Sequence, residues 1–318
     1  MRRLAAILAA VLVIAYSVFW WIAAGKIEEG VALWADNAKA QGLTASWQAI
    51  RVGGYPLAFR VELTEPRLDG PEWSVAAPGL TATIRPWSFH SAELAAPRGL
   101  SGKGGDIAAV TAASATGNVT ADSDGTDARI ELDDVKAAPV AAKTARFRLV
   151  LPPHPPRGHT DLNFTFSGDV KALTIPIAPK PLGDTIDDVG FGFSAMGPVP
   201  AGKTPRDRAA AWRDAGGTVE LSLLHVGWGA VGIDANGTLA LDQDLQPVGS
   251  LTGALSGYDE LLAALVAAGQ IRESDSRTLK FVLRALAKNG RIETALSVQN
   301  GKIYVGPASL GRVPKIPW

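Results

Sequence analysis

From Leu4 to Ala24 the chain runs for 21 residues, LAAILAAVLVIAYSVFWWIAA, without a formal charge. A helix rising 1.5 Å per residue crosses the roughly 30 Å hydrocarbon core of a bilayer in about 20 residues, so this run is long enough to span a membrane. The competing reading is a cleaved signal peptide, whose apolar core is shorter, about 7 to 15 residues, and ends in a small-x-small site. Here Trp20, Trp21 and Ile22 crowd that site ahead of Ala23 and Ala24. The expectation is an uncleaved anchor over residues 1–25.

Arg2 and Arg3 precede the span, whereas Lys26, Glu28 and Glu29 follow it. Flanking basic residues are retained on the cytoplasmic side. The N-terminus is therefore expected in the cytoplasm, with the anchor in the inner (cytoplasmic) membrane as a single pass and the bulk of the chain in the periplasm. Tyr16, Phe19, Trp20 and Trp21 then fall at the outer interface, where amphipathic aromatics are favoured.

Beyond the span, Ile27, Val31, Trp34 and Ala38 recur at helical spacing up to Gly42, which predicts a juxtamembrane helix over 26–42. Residues 43–318 follow a different rule. In YPLAFRVELTEPRL, Leu57, Phe59, Val61 and Leu63 alternate with Ala58, Arg60, Glu62 and Thr64, the period of a half-buried strand. SWQAIRV, turned by Gly53 and Gly54, supplies an antiparallel partner. The same alternation returns at Phe147–Leu151, Leu162–Phe166, Val189–Phe193, Val219–Leu223, Leu239–Leu241, Leu296–Val298 and Ile303–Val305. Asn236-Gly237 and Asn300-Gly301 are read as hairpin turns, since both residue types accept positive φ.

Three short helices interrupt the strands. Thr204, Pro205 and Asp207 form an N-cap signature ahead of a helix that stops at Gly216, and Ser256 with Asp259 is read as a second cap. In SDSRTLKFVLRALAKNG, Leu279, Val282, Leu283 and Leu286 occupy one stripe and Arg277, Lys280, Arg284 and Lys288 another. The fold class is mainly β with a few helices (α+β): an N-terminal transmembrane helix, then a long, mostly antiparallel twisted sheet. Whether its apolar face forms an open groove or is covered stays open. Proline clusters place a candidate internal boundary near 152–205 within the extracytoplasmic domain.

Thirty-one basic residues balance 31 acidic ones, which leaves no net field to attract nucleic acid. Cysteine is absent and histidine numbers four, so thiol chemistry is excluded and metal chemistry has few donors. GPVPAGKT at 197–204 matches the phosphate-loop pattern, but Pro198 and Pro200 lack the N–H groups that would cradle an anion. TADSDGTDARIE at 120–131 places Asp122, Asp124, Gly125 and Glu131 at calcium-loop positions, with Thr120 at the first and strands on both sides; a hairpin turn explains it more simply. His154, His159 and Asp161 share a proline-rich loop without a third strong ligand. GWGAVG at 227–232 lies between strands and not ahead of a helix, which removes its dinucleotide meaning. No G-x-S-x-G or H-E-x-x-H pattern occurs. The expectation is no enzyme, no cofactor, no metal and no nucleotide. The basic stripe is the candidate contact for lipid headgroups, against the plainer reading of a solvated face over a packed one.

The anchor and its helix, GGYPLAFRVELTEPRL, and the closing LSVQNGKIYVGPASLGRVPKIPW together resemble the domain of unknown function 2125 family of Gram-negative envelope proteins. Gly54-Tyr55-Pro56, Pro66-Arg67-Leu68, and Asn300-Gly301 followed by Gly306-Pro307 carry the resemblance. That family in turn looks like the wider AsmA-like group, which implies one inner-membrane helix and a β-rich groove for lipid. The functional expectation is a non-catalytic, membrane-anchored periplasmic protein that binds or passes lipid or supports envelope assembly. The alternative is a structural module docking another envelope protein through a sheet edge or apolar patch.

Overall fold

The computed structural model describes residues 2–40, 42–105, 107–176, 182–200, 204–269, 271–305, 308–313 and 315–316. It is mostly β, with antiparallel strands and four helices among the described residues. The chain divides into two compact units, Met1–Ala121 with Ile130–Ala138, and Asp122–Arg129 with Pro139–Trp318.

The first unit begins with one continuous helix, α1 (Arg2–Ala40). The expected anchor and the expected juxtamembrane helix, which the sequence divides at Gly25, are thus one rod of about 58 Å at 1.5 Å per residue, long and apolar enough to cross a membrane. It stops at Gly42, whose φ is +80°. There the Leu43 N–H reaches the Ala38 carbonyl (3.0 Å) and the Gly42 N–H reaches Lys39 (3.1 Å), the paired bonds of a Schellman end.

Ten short strands follow: β1 (Thr44–Ser46), β2 (Ala49–Gly53), β3 (Phe59–Thr64), β4 (Arg67–Asp69), β5 (Trp73–Ala76), β6 (Gly79–Arg85), β7 (Ser88–Ala96), β8 (Leu100–Gly104), β9 (Ile107–Ala112) and β10 (Ser114–Asp122). They pair as two antiparallel ladders. β2–β3–β6–β7–β10 forms one, and β1–β4–β5–β8–β9 the other. Each member of one ladder continues into the other after a break of one to three residues, so the unit is a meander of long strands, each bent once.

The bends coincide because the chain places special residues there. Pro66, Pro78 and Pro97 cannot donate to a ladder. Glu65 adopts φ +48° and Gly99 φ +84°. The corners still satisfy one another: the Ala77 N–H bonds the Pro66 carbonyl (3.1 Å), and Arg98 reaches across to the Pro78 carbonyl at 2.7 Å. Gly99 is needed for two reasons, since a Cβ there would lie 2.4 Å from the Ala112 carbonyl oxygen.

The predicted pairing of SWQAIRV with the alternating strand is present, with Ile50 opposite Leu63 and Val52 opposite Val61. Phe59 and Val61 are buried and Arg60 and Glu62 exposed, as the period of two requires. The unit's core lies where α1 crosses this face. Trp20, Ala24 and Phe59 pack together, flanked by Ala23, Ile27, Val52 and Ile84.

The second unit is a simple meander: β12 (Val140–Leu151), β13 (Leu162–Thr174), β14 (Thr185–Met196), β15 (Thr218–Trp228), β16 (Val231–Leu241), β17 (Pro247–Ser256), β18 (Arg291–Gln299), β19 (Lys302–Val305) and β20 (Ala308–Arg312), each antiparallel to the next. Among the described residues no pairing joins β20 back to β12, so this sheet is open. β11 (Gly125–Ala137) contributes its first residues to this unit and its later ones to the first. The proline-rich stretch at 152–160 lies inside the second unit.

Helix α2 (Pro205–Asp214) carries the expected cap: Asp207 N–H donates to the Thr204 hydroxyl and Thr204 N–H to the Asp207 carboxylate, both at 3.1 Å. Asn300-Gly301 forms the expected turn between β18 and β19, both with positive φ. Two local readings are corrected. Asn236-Gly237 lies inside β16, and the turn falls at Gly229-Ala230. Gly237 serves close strand approach there: a Cβ would meet the Ser250 carbonyl at 2.3 Å. Helix α3 (Tyr258–Ala267) starts from Gly257 in the left-handed region without a side-chain cap, because Ser256 is still paired in β17 opposite Gly232.

Candidate functional site

Where the first unit's strands bend, their apolar faces curve around a cavity of about 320 Å³. Trp47, Leu63, Leu68, Val75, Leu80 and Leu100 line it from the sheet, and Val31 and Trp34 of α1 close one side. Clefts that take small ligands begin near this size and are predominantly apolar with few polar groups. Among the described residues, Arg67 is the only charged side chain on the wall.

Arg67 also borders a second, polar hollow of about 660 Å³, lined by Asp69, Glu72, Ser74 and Lys103 among others. Its Nε lies 2.7 Å from Asp69 Oδ2. That hydrogen bond holds the Asp69 carboxyl below the usual carboxylate range against the opposing cost of desolvation. An apolar cavity thus meets a charged hollow at one arginine. The local cause is sequence: Leu68 and Val75, directly paired across β4 and β5, point to the cavity, while Arg67 sits at the corner after Pro66.

Helix α1 is fixed against the sheet by aromatic and polar contacts. The Trp20 ring stacks on Phe59 (5.3 Å between centroids) and meets Tyr55 edge-on (5.5 Å). Trp20 Nε1 donates to the Ala58 carbonyl at 3.2 Å, the Tyr55 hydroxyl lies 2.7 Å from Ser17 Oγ, and the Tyr16 hydroxyl donates to the Pro56 carbonyl. Sequence reasoning placed Trp20 at a membrane interface but not against the sheet, because the partner residues lie about 40 positions away.

The basic stripe lies on α4 (Glu273–Leu286) and its C-terminal extension. Lys280 Nζ and Arg284 reach Asp259 of α3 at 3.1 and 2.9 Å, so they clamp two helices together. Arg277 approaches Glu273 at 3.9 Å, and the backbone of Lys288 bridges to Arg291. The apolar stripe differs from expectation more sharply: α4 has no buried residue, and Phe281 is 78% exposed with Leu279, Val282 and Leu286 also exposed. Its docking rests on the ion pairs to α3, whose own Leu262 and Ala264 are buried.

A charged row crosses the second unit that no sequence pattern revealed. His225 Nδ1 lies 2.6 Å from Asp234 Oδ1 and its Nε2 3.0 Å from Asp188 Oδ2. Arg291 reaches Asp234 at 2.9 Å and Lys171 approaches Asp188 at 3.8 Å. The His225 hydrogen bond, aided by Arg291, lowers the Asp234 carboxyl below its ordinary range. The five groups come from five strands, so their spacing in the chain carries no signal. Basic and acidic residue types alternate across the strands, the arrangement of cross-strand side-chain pairing.

Other sequence motifs resolve into turns. Asp122 caps the Asp124 N–H at 2.9 Å in the β10–β11 turn. Asp161 accepts from the Arg157 and Gly158 N–H groups, which lowers its carboxyl. Gly229 N–H bonds Asp187 at 2.7 Å in the GWGAVG hairpin. In GPVPAGKT, Gly197 ends β14 and Thr204 caps α2, whereas residues 201–203 lie outside the described residues, as does Gly306-Pro307. No group of three or more metal-ligating side chains converges among the described residues.

A family profile described as an uncharacterized protein conserved in bacteria (DUF2125) matches residues 20–314. No curated protein and no solved structure matches the chain.

Proposed function

The chain belongs to the DUF2125 family of bacterial proteins, and we propose that it is a non-catalytic, membrane-anchored envelope protein whose first unit takes the apolar chain of a lipid into the cavity beneath α1. On this reading α1 is held in the inner membrane, its N-terminus cytoplasmic and the strands periplasmic, the layout that the resemblance to the AsmA-like group implies. The observation that carries the reading is the junction at Arg67: an apolar cavity of about 320 Å³ opening beside a polar hollow. An amphiphile has that polarity, with its tail against Leu68 and Leu80 and its polar end toward Arg67 and Lys103. The exposed apolar stripe of α4, flanked by Arg277, Lys280, Arg284 and Lys288, is a second surface suited to lipid.

Reconstitution of the full chain in vesicles containing a phospholipid with a photoreactive group on its acyl chain tests this. Crosslinks are expected at Trp47, Leu68 and Leu80, and Ala45→Trp, which fills the cavity, is expected to remove them. Crosslinks confined to residues 10–24 would sink the proposal.

A second reading is favoured by one feature of the other unit. Phe147, Phe166, Phe191 and Phe193 stack on one face of β12–β14, with centroids 5.5 to 6.5 Å apart, and all are only half-buried. Such a face also suits a protein partner. Recovery of one envelope protein crosslinked through this face in cells supports that reading.

A further inference from the structure

The geometry points to a membrane mount wider than the helix: the tips of two hairpins in the first unit, Tyr55–Leu57 between β2 and β3 and Trp87–Phe89 where the chain turns from β6 into the start of β7, dip through the outer interface of the bilayer that α1 spans. It rests on the reading of α1 as an anchor.

The first tip is tied to a known height on the helix. Tyr55 contacts Ser17, Pro56 accepts from Tyr16, and Ala58 accepts from Trp20. The second tip is tied to the same level through aromatic contacts, since Phe89 lies 5.8 Å from Phe59 and Phe59 stacks on Trp20. Counting from Leu4, the first residue after the arginines, a hydrocarbon core of roughly 30 Å uses about 20 residues at 1.5 Å each. The outer boundary therefore falls near Ala23. Trp20 then lies about 5 Å inside it and Ser17 and Tyr16 about 9 to 11 Å inside, so the tips docked on them reach through the interface into the outer acyl region.

The side chains at the tips match that position. Leu57 and Trp87 are each 67% exposed, Phe89 56% and Tyr55 50%. Hairpin tips in water are ordinarily built from small polar turn residues. Here both carry large apolar or amphipathic groups, the types enriched at bilayer interfaces. Exposed Phe19, Trp21 and Ile22 of α1 complete the same level. Arg85, beside Trp87 and half-exposed in its 2.8 Å pair with Glu93, is placed for headgroups at the edge of this apolar zone. A bilayer is favoured over a protein partner because α1 continues past both tips as an uncharged run back to Leu4.

The chain has no cysteine, so single labels are simple to place. Leu57→Cys, Trp87→Cys and, as a control near the C-terminal end of α1, Lys39→Cys are made in the full chain. Each carries an environment-sensitive fluorophore and is reconstituted in phosphatidylethanolamine–phosphatidylglycerol vesicles with a nitroxide in the lipid headgroup region. The label sites are solvent-exposed, and an unchanged thermal midpoint verifies the fold. The expected result is a blue-shifted emission and several-fold stronger quenching at 57 and 87 than at 39, about 24 Å beyond Ala23 along α1. Equal quenching at all three positions, in chain that floats with the vesicles and resists alkaline extraction, overturns the proposal. So does shielding at 57 and 87 without quenching, the outcome for a protein or second copy covering the tips. Chain that fails to float overturns the anchor itself, and leaves the cavity's lipid affinity to be judged by its own crosslinks.

Discussion

The indole of Trp20 lies almost flat on the ring of Phe59, with centroids 5.3 Å apart and planes 14° apart. Phe59 is wholly buried and Trp20 is 7% exposed. One residue belongs to the apolar run of α1 and the other to the first alternating strand, so this stack joins helix and sheet. Because the first unit's sheet is docked on α1 here, wherever α1 is held these strands are held with it.

Removing either ring is expected to loosen that joint. Phe59→Ala and Trp20→Ala each cost about 3 to 5 kcal/mol, the range for large aromatic truncations in a core. The double variant loses less than the sum, by about 0.5 to 1.5 kcal/mol for the shared stack. Urea titration of the full chain in nanodiscs, followed by near-ultraviolet dichroism, measures this. Midpoints equal to wild type in both single variants would show that the stack holds nothing.

The corners should be sensitive to backbone geometry more than to side-chain size. Gly99→Ala introduces a Cβ 2.4 Å from a carbonyl oxygen at φ +84° and is expected to cost about 3 kcal/mol, the upper range for such strain. Gly105→Ala also meets a positive φ, +47°, but has open space and costs about 1 kcal/mol. A ranking of thermal midpoints with Gly105→Ala below Gly99→Ala contradicts the role given to the corner.

Acid should weaken the second unit through specific carboxylates. Asp127 is held by Arg148 (2.8 Å) and Arg129 (2.8 Å), and the hydrogen bond from Arg148 is the main cause of its lowered pKa. A carboxyl whose folded pKa is depressed adds stability in full above its unfolded value, near pH 3.9, and loses it as the pH falls through the folded value. Asp127→Asn is therefore expected to cost about 1 kcal/mol at neutral pH, a modest figure because both arginines are half in water. The gap from wild type should close below about pH 4. A gap that stays constant from pH 7 to pH 3 refutes the assignment.

Helix α4 is expected to depend on one residue of α3. Asp259→Ala removes the partner of both Lys280 and Arg284. With no buried residue of its own, α4 should then exchange its amide hydrogens at least several-fold faster, while α3, anchored by Leu262 and Ala264, changes little. Hydrogen-exchange mass spectrometry reads both helices in one experiment, and unchanged protection over 273–286 would mean that something other than the ion pairs docks α4.

Much of the fold was legible because it is written in local periods. The run from Leu4 to Ala24 identified a helix, the alternation around Phe59 identified a strand and its partner, and Thr204-Pro205 identified a helix start. Local signals failed where a neighbour overruled them. Asn236-Gly237 has the chemistry of a turn, but pairing with β15 and β17 keeps it in a strand. Ser256 has the chemistry of a cap, but its backbone is already committed to β17.

The candidate site was the least legible part. The sequence by itself determined an apolar helix, a strand-rich remainder and the positions of the prolines and glycines, because these follow from side-chain period and backbone restriction within a few residues. Only the tertiary structure decided that those breaks align into one corner, that the corner encloses a cavity ending at Arg67, and that His225 lies between Asp188 and Asp234. These relationships join residues tens of positions apart, and strand pairing sets them through register, which no single segment encodes.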